Sequence, residues 1–198
     1  YHLVFASITR GYKGGGINVD ARIDQTADPL TYATEILWNY EIGFRGSWLD
    51  QRLTGEFTAF HLTRDDAQVR DSAGFGGSYR FFTDNANEAT VTGLESSATW
   101  RLTESWSLRG SLALLDSKLD PFTLANGNTG GGRRLAATPR YGYTVGIGYR
   151  PASGLFAHLD LTGRARQYDS NNQNEERSAF TVLNASLGYT WRSWTVTL

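Results

Sequence analysis

From Tyr141 to Tyr149 every second residue is large and apolar (Tyr141, Tyr143, Val145, Ile147, Tyr149), while Gly142, Thr144, Gly146 and Gly148 between them are small or polar. A period of two marks a strand with one oily and one wet face. After Pro151-Ala152-Ser153-Gly154 the alternation resumes, with Leu155, Ala157, Leu159 and Leu161 opposed by Phe156, His158, Asp160 and Thr162. The pattern predicts a hairpin. Each arm has the roughly 9–11 residues of a tilted transmembrane strand, and Tyr141 and Tyr149 put aromatic rings at both ends of the apolar face, as in an interfacial girdle.

The same alternation recurs along the chain. A first strand is expected over about His2 to Thr9, followed by a glycine-rich loop from Gly11 to Tyr32. Tyr40, Ile42, Phe44 and Trp48 then alternate with Asn39, Glu41, Arg45 and Ser47, and the return through Leu53, Gly55, Phe57 and Ala59 runs to about Val69. The phase is irregular at Phe60-His61-Leu62, which predicts a bulge or the membrane boundary there. A long or interrupted strand from Tyr79 to Leu102 comes next, with Leu94, Ala98 and Trp100 outward and Gly93, Glu95, Ser97, Thr99 and Arg101 inward. Trp106 to Leu114, the central hairpin, a strand bearing Leu183, Ala185, Leu187, Tyr189 and Trp191, and one beginning after Ser193 complete roughly nine strands. Short turns near 50, 104, 152 and 192 alternate with long loops near 20, 75, 130 and 174, and Trp48, Trp100, Trp106, Trp191 and Trp194 lie at the short-turn end. That asymmetry predicts an all-β fold, an antiparallel up-and-down transmembrane barrel with short periplasmic turns and long outer loops. The alternation alone is also that of a soluble β-sandwich, for which such strand lengths and loop asymmetry are unusual.

Composition changes this picture little. Nineteen basic against 20 acidic residues leave a net charge of −1 and no basic footprint for nucleic acid. With no cysteine there is neither a disulfide framework nor a thiolate site. His2, His61 and His158 lack ligand-spaced partners, so no metal site or cofactor is expected. Gly74-Phe75-Gly76-Gly77 and Gly130-Gly131-Gly132 lack the Lys-Ser/Thr ending of a phosphate loop, and no enzymatic activity is expected. Asp65, Asp66 and Asp116 are expected to be solvated. The chain opens in strand pattern at Tyr1-His2-Leu3-Val4-Phe5 and stops in it at Thr195-Val196-Thr197-Leu198, as a piece of a longer protein would.

Particular strings carry a resemblance. Ser7 to Asn18, with Gly11-Tyr12-Lys13 followed by Gly14-Gly15-Gly16, resembles the "S-x-G-Y-K-x-G-G-F-N" stretch of TonB-dependent outer-membrane receptors. Glu35 followed by Asn39-Tyr40-Glu41-Ile42-Gly43 is similar to their "P-E-x-x-x-N-Y-E-x-G" strand, although Thr34 stands where the proline would be. Leu53 to Phe60 with Asp66-Ala67-Gln68 resembles the strand that ends in "D-x-Q", and Asn85-Ala86 with Gly93-Leu94-Glu95 resembles "N-A-x-x-x-x-x-G-x-E". The strings occur in the family's order.

The resemblance implies that residues 1–198 are the C-terminal portion of a barrel of about twenty-two strands, with the plug domain, first strands and closing strand outside this chain. It implies a bacterial outer-membrane receptor, embedded in outer-membrane lipid, that imports a ferric siderophore or similar small ligand with energy from the TonB complex acting through the plug. Gly11, Tyr12, Lys13, Asn39, Tyr40, Glu41, Gly43, Gly93 and Glu95 are the motif residues, expected to be structural. Arg133, Arg134, Arg164, Arg166 and Tyr168 are the candidates for ligand contact, since guanidinium groups pair with the oxygens of an anionic chelate; the competing reading is that they are solvated or internally paired charges. The inward charges Glu41, Arg45, Glu56, Glu95, Arg101 and Arg109 are expected to pair across strands or to meet the plug. A passive porin or an autotransporter barrel shares the alternation but not these strings.

Overall fold

Strands that follow one another in sequence pair with one another, and the result is a single antiparallel sheet of nine strands in sequential order. A computed structural model of the protein describes residues 1–20, 29–73, 80–171 and 174–198. The strands are β1 (His2–Lys13), β2 (Glu35–Trp48), β3 (Leu53–Asp65), β4 (Ala89–Arg101), β5 (Trp106–Leu119), β6 (Tyr141–Tyr149), β7 (Gly154–Arg164), β8 (Phe180–Trp191) and β9 (Trp194–Thr197). The sheet is not closed: β1 and β9 each have one paired neighbour.

The register holds the two faces apart across the whole sheet. One rung reads Ile42, Ala59, Leu94, Leu114, Tyr141, all on the apolar face. The next reads Glu41, Phe60, Gly93, Leu115, on the opposite face. Val4, Ile42, Val145, Leu161 and Leu183 are exposed on the first face, where a water-soluble protein would cover them. Trp48 and Trp100 share a rung with Leu53, Trp106 lies opposite Tyr149 with ring centroids 4.8 Å apart, and Trp191 pairs with Trp194, so the aromatic belt at the short turns is real.

β2 and β5 have 14 residues each, or about 45 Å at roughly 3.3 Å per residue. That exceeds a bilayer's hydrocarbon core of about 30 Å, so their long-connection ends stand above it as a rim. There the connections form a small core of Ala67, Val69, Phe82, Ala86, Ala89, Leu119, Phe122, Leu124 and Leu135.

Several boundaries differ from the sequence expectation. β1 does not end at Thr9 but runs through Gly11 and Tyr12 to Lys13, because every residue of that stretch has a ladder partner on β2, ending with Lys13 opposite Glu35. β3 carries no bulge at Phe60-His61-Leu62; pairing with β2 and β4 is unbroken there. The hydrophobic phase slips because Phe60 lies on the polar face, its ring over Gly93. The expected strand to Val69 breaks at Asp66, which has φ 53°, and Gln68–Ala73 pairs with Arg80–Asn85 as a separate hairpin. Asp116 is solvated as expected, its side chain 92% exposed, and it also receives Arg134 Nη1 at 2.8 Å. Gly74 to Gly77, most of the glycine-rich loop's distal part and part of the fourth loop lie outside the described residues.

Two motif glycines owe their identity to this packing. A Cβ on Gly93 would stand 2.5 Å from Phe60 Cζ and 2.7 Å from Leu115 Cδ2, and one on Gly43 would enter the Phe5 ring. Gly93→Val is therefore expected to destabilise the sheet by about 1–3 kcal/mol through overpacking. Its melting temperature, measured beside that of a Gly14→Ala variant where a Cβ meets nothing within 4 Å, checks this.

Candidate functional site at the mouth of the barrel wall

Residues far apart in sequence converge where β1, β2 and β3 leave the sheet. Glu35, 5% exposed, receives Arg64 Nε at 2.6 Å and Nη2 at 2.9 Å, and its Oε2 also accepts the Gln68 backbone N–H at 2.7 Å. Burial pushes the Glu35 carboxyl up, but the hydrogen bonds from Arg64 and Gln68 and the charges of Arg64 and Lys13 outweigh it, holding the group below the ordinary carboxylate range. Gln68 Nε2 lies 2.9 to 3.3 Å from the carbonyls of Ala33, Gly14 and Lys13. Asn85 clasps Ala33 from both sides, accepting from its N–H and donating to its carbonyl, and donates to Asp66 O. Glu35, Gln68 and Asn85, drawn from three of the strings that carry the family resemblance, thus form one buckle. Their task is to fix the rim.

Further round the mouth, Arg133, Arg134, Arg166 and Tyr168 line one cavity of about 230 Å³ together with Arg140, Thr138, Gln167 and Glu176. Arg133 stacks on Tyr168, 4.4 Å from the ring centre, and reaches Asn174 and, at 3.3 Å, Ser170 O. Arg134 is held by Asp116 and by Leu115 O at 2.7 Å. Arg166 Nη1 is 3.3 Å from Glu176. Arg164 lies apart, on the polar wall with its guanidinium 4.8 Å from the Phe180 ring. Four of the five sequence candidates therefore meet, and the internal pairing read as the alternative holds in part for three of them. Arg140 was missed. The hairpin register contained the signal: Gly142 opposite Arg164 puts Arg140 level with Arg166, two residues past the ladder.

On the polar wall, Arg45 pairs with Glu56 at 3.4 Å, and Arg109 reaches over Gly146 to Asp160 at 2.6 Å and to His158. Arg101 instead donates to Gln51 O. Glu41 accepts from Ser7 and Asn39, both neutral, and Glu95 has no side-chain partner among the described residues. The motif residue Tyr40 faces the apolar side, stacked with Trp38.

Comparison with known proteins adds to this geometry. The sequence model of the family "TonB dependent receptor-like, beta-barrel" matches residues 1–198. A curated protein of Bordetella pertussis, "Probable TonB-dependent receptor BfrD", is 31% identical over 128 residues, which is 65% of this chain and 16% of that protein. The ferric yersiniabactin uptake receptor FyuA of Yersinia pestis superposes with a TM-score of 0.74 at 23% identity, covering 95% of this chain and 27% of its own. The siderophore receptor PiuA of Acinetobacter baumannii does so with a TM-score of 0.72 at 15% identity, over 97% of this chain and 28% of its own. At these identities the two structures speak for the fold alone. The chain spans under a third of the length of each of these proteins.

Proposed function

This chain belongs to the TonB-dependent receptor-like β-barrel family, and from that premise we propose that it forms the wall and part of the outer mouth of a bacterial outer-membrane receptor that imports a ferric siderophore, or a similar small scarce ligand, with TonB-transduced energy. The observation that carries the reading is the cavity at the long-connection end, where Arg133, Arg134, Arg166 and Tyr168 are gathered with Arg140. Basic groups at the mouth attract an anionic chelate from dilute solution. The lumenal carboxylates Glu41 and Glu95, with no cationic partner among the described residues, are contacts for the plug, and TonB acts through that plug.

In the bacterium that carries the gene, deleting it is expected to abolish saturable uptake of radioactive iron chelate under iron limitation, and complementation to restore it. Dissipating the proton gradient should stop uptake while leaving surface binding intact. Uptake that persists in the deletion strain, or that is unsaturable and indifferent to the uncoupler as in a passive pore, would overturn the reading.

A further inference from the structure

Gly146 opens a gap in the lumenal wall, and three side chains from the strands on either side meet across it. Asp160, Gly146 and Arg109 share one rung, and His158, Gly148 and Ser107 share the next. A Cβ on Gly146 would strike Asp160 Oδ1 and stand 2.9 Å from Arg109 Nε, so only glycine lets Arg109 cross β6. Arg109 then donates from Nη2 to Asp160 Oδ2 at 2.6 Å and from Nε to Oδ1 at 3.1 Å, and Nη2 also contacts His158 Nε2. That same imidazole nitrogen lies 2.7 Å from Asp160 Oδ2.

His158 Nε2 therefore stands between a group that can only donate and one that can only accept. As a lone pair it accepts from Arg109 and has nothing to give Asp160. As an N–H it donates to Asp160 and confronts the Arg109 donor. The contact with Arg109 needs a neutral ring with its proton on Nδ1. In the imidazolium both nitrogens carry protons, so only the bond to Asp160 is open, and a second cation faces Arg109. Little nearby absorbs the added charge. The flanking strands present Gly148 on β6 and Ser186 and Asn184 on β8, and the next charges along the wall are again cations: Arg150, 4.2 Å from the Phe156 ring centre, and Arg101, bound to Gln51 O.

We infer that His158 is a proton-operated switch on the lumenal wall: neutral, it holds Arg109 against itself and Asp160; protonated, it takes Asp160 Oδ2 and turns the Arg109 guanidinium out into the lumen. Histidine changes charge between about pH 5 and 8, above the ordinary carboxylate range near 4, so Asp160 stays ionised while the switch operates. The Arg109 side chain is 52% exposed and has room to move. The switch lies outside the import reading and does not depend on it. It needs only that protons reach the lumenal face.

Crystals of the intact receptor equilibrated at pH 8 and at pH 5, with nitrogen-15 spectra of histidine-labelled receptor at the same two values, test it. His158→Gln, which can donate and accept but cannot titrate, identifies the His158 signals and serves as the control. At pH 8 Nε2 is expected to be unprotonated with Arg109 Nη2 on it. At pH 5 both ring nitrogens should carry protons, and Arg109 should have withdrawn beyond about 3.5 Å, out of hydrogen-bond reach, while His158 stays on Asp160. In His158→Gln, Arg109 should keep one position at both values. A protonated Nε2 at pH 8, a neutral His158 at pH 5, an Arg109 that stays in place in the wild type, or one that moves as far in His158→Gln overturns the switch. Each of these outcomes leaves the import reading to the uptake experiment above, which does not involve His158.

Discussion

Glu35→Ala is expected to loosen the rim by about 3–5 kcal/mol, the usual cost of removing one partner of a buried ion pair. The substitution strands the Arg64 guanidinium, whose side chain is 26% exposed, and leaves the Gln68 N–H without its acceptor. Because Gln68 also ties Lys13, Gly14 and Ala33, the loss spreads to the first two long connections. Hydrogen exchange of the Gln68 amide reports it directly: opening should become roughly a hundredfold or more easier, at about tenfold per 1.4 kcal/mol, while amides in the middle of β6 stay protected. The same amide senses pH. The folded Glu35 carboxyl titrates below its ordinary value of 4.5, so its contribution is fully present above that value and is lost as pH falls through the lower folded one. Protection of Gln68 should fall in that window in the wild type and be flat there in Glu35→Ala. Unchanged protection in the variant would mean that the buckle is held by the loop core around Leu119 instead.

How much of this was legible in the sequence varied with the range of the interaction. The strands were legible because alternation is a local property, and the faces followed for Ile42, Leu94 and Val145 alike. The end of β1 was not, since three adjacent glycines argue for a loop while twelve rungs of ladder with β2 argue otherwise, and ladder bonds are invisible in a single strand's composition. Phe60 failed for a related reason. An aromatic ring on the lumenal side is compatible with the sheet because Gly93 leaves space beneath it, and that partner lies on the next strand. The motif strings pointed to a family without saying what the residues do. Glu35, Gln68 and Asn85 are separated by long stretches of chain, and only the register of β2 against β3 and the hairpin beyond Asp66 brings them together. Charge and loop position pick out Arg133 and Arg134 in the third loop and Arg164, Arg166 and Tyr168 approaching the fourth, but not Arg140, whose place level with Arg166 depends on the pairing of two strands.

The apolar face leads to the last expectation. Alternation cannot say which side of a strand meets lipid, but the charge distribution across the register can: the face holding Arg45, Glu56, Arg109 and Asp160 is the lumen, and Val145 points the other way. Val145 lies on the rung with Gly110, Leu161 and Leu183, midway between Tyr141 and Tyr149 and so near the bilayer midplane. Val145→Arg is expected to cost about 2–4 kcal/mol in the closed barrel, the depth-dependent penalty for a cation on the lipid side. Thr144→Arg, one residue away, should cost far less, because Thr144 faces the lumen, where its hydroxyl lies 3.2 Å from Thr162 Oγ1. Refolding titrations of the two variants into lipid vesicles make the comparison with chain position, strand and substituent held almost constant. Equal penalties would mean that both faces of β6 are covered by protein, as in a sandwich. A large penalty at 145 alone follows only if the two faces meet different solvents, and that difference is what converts a period-two sequence into a membrane wall.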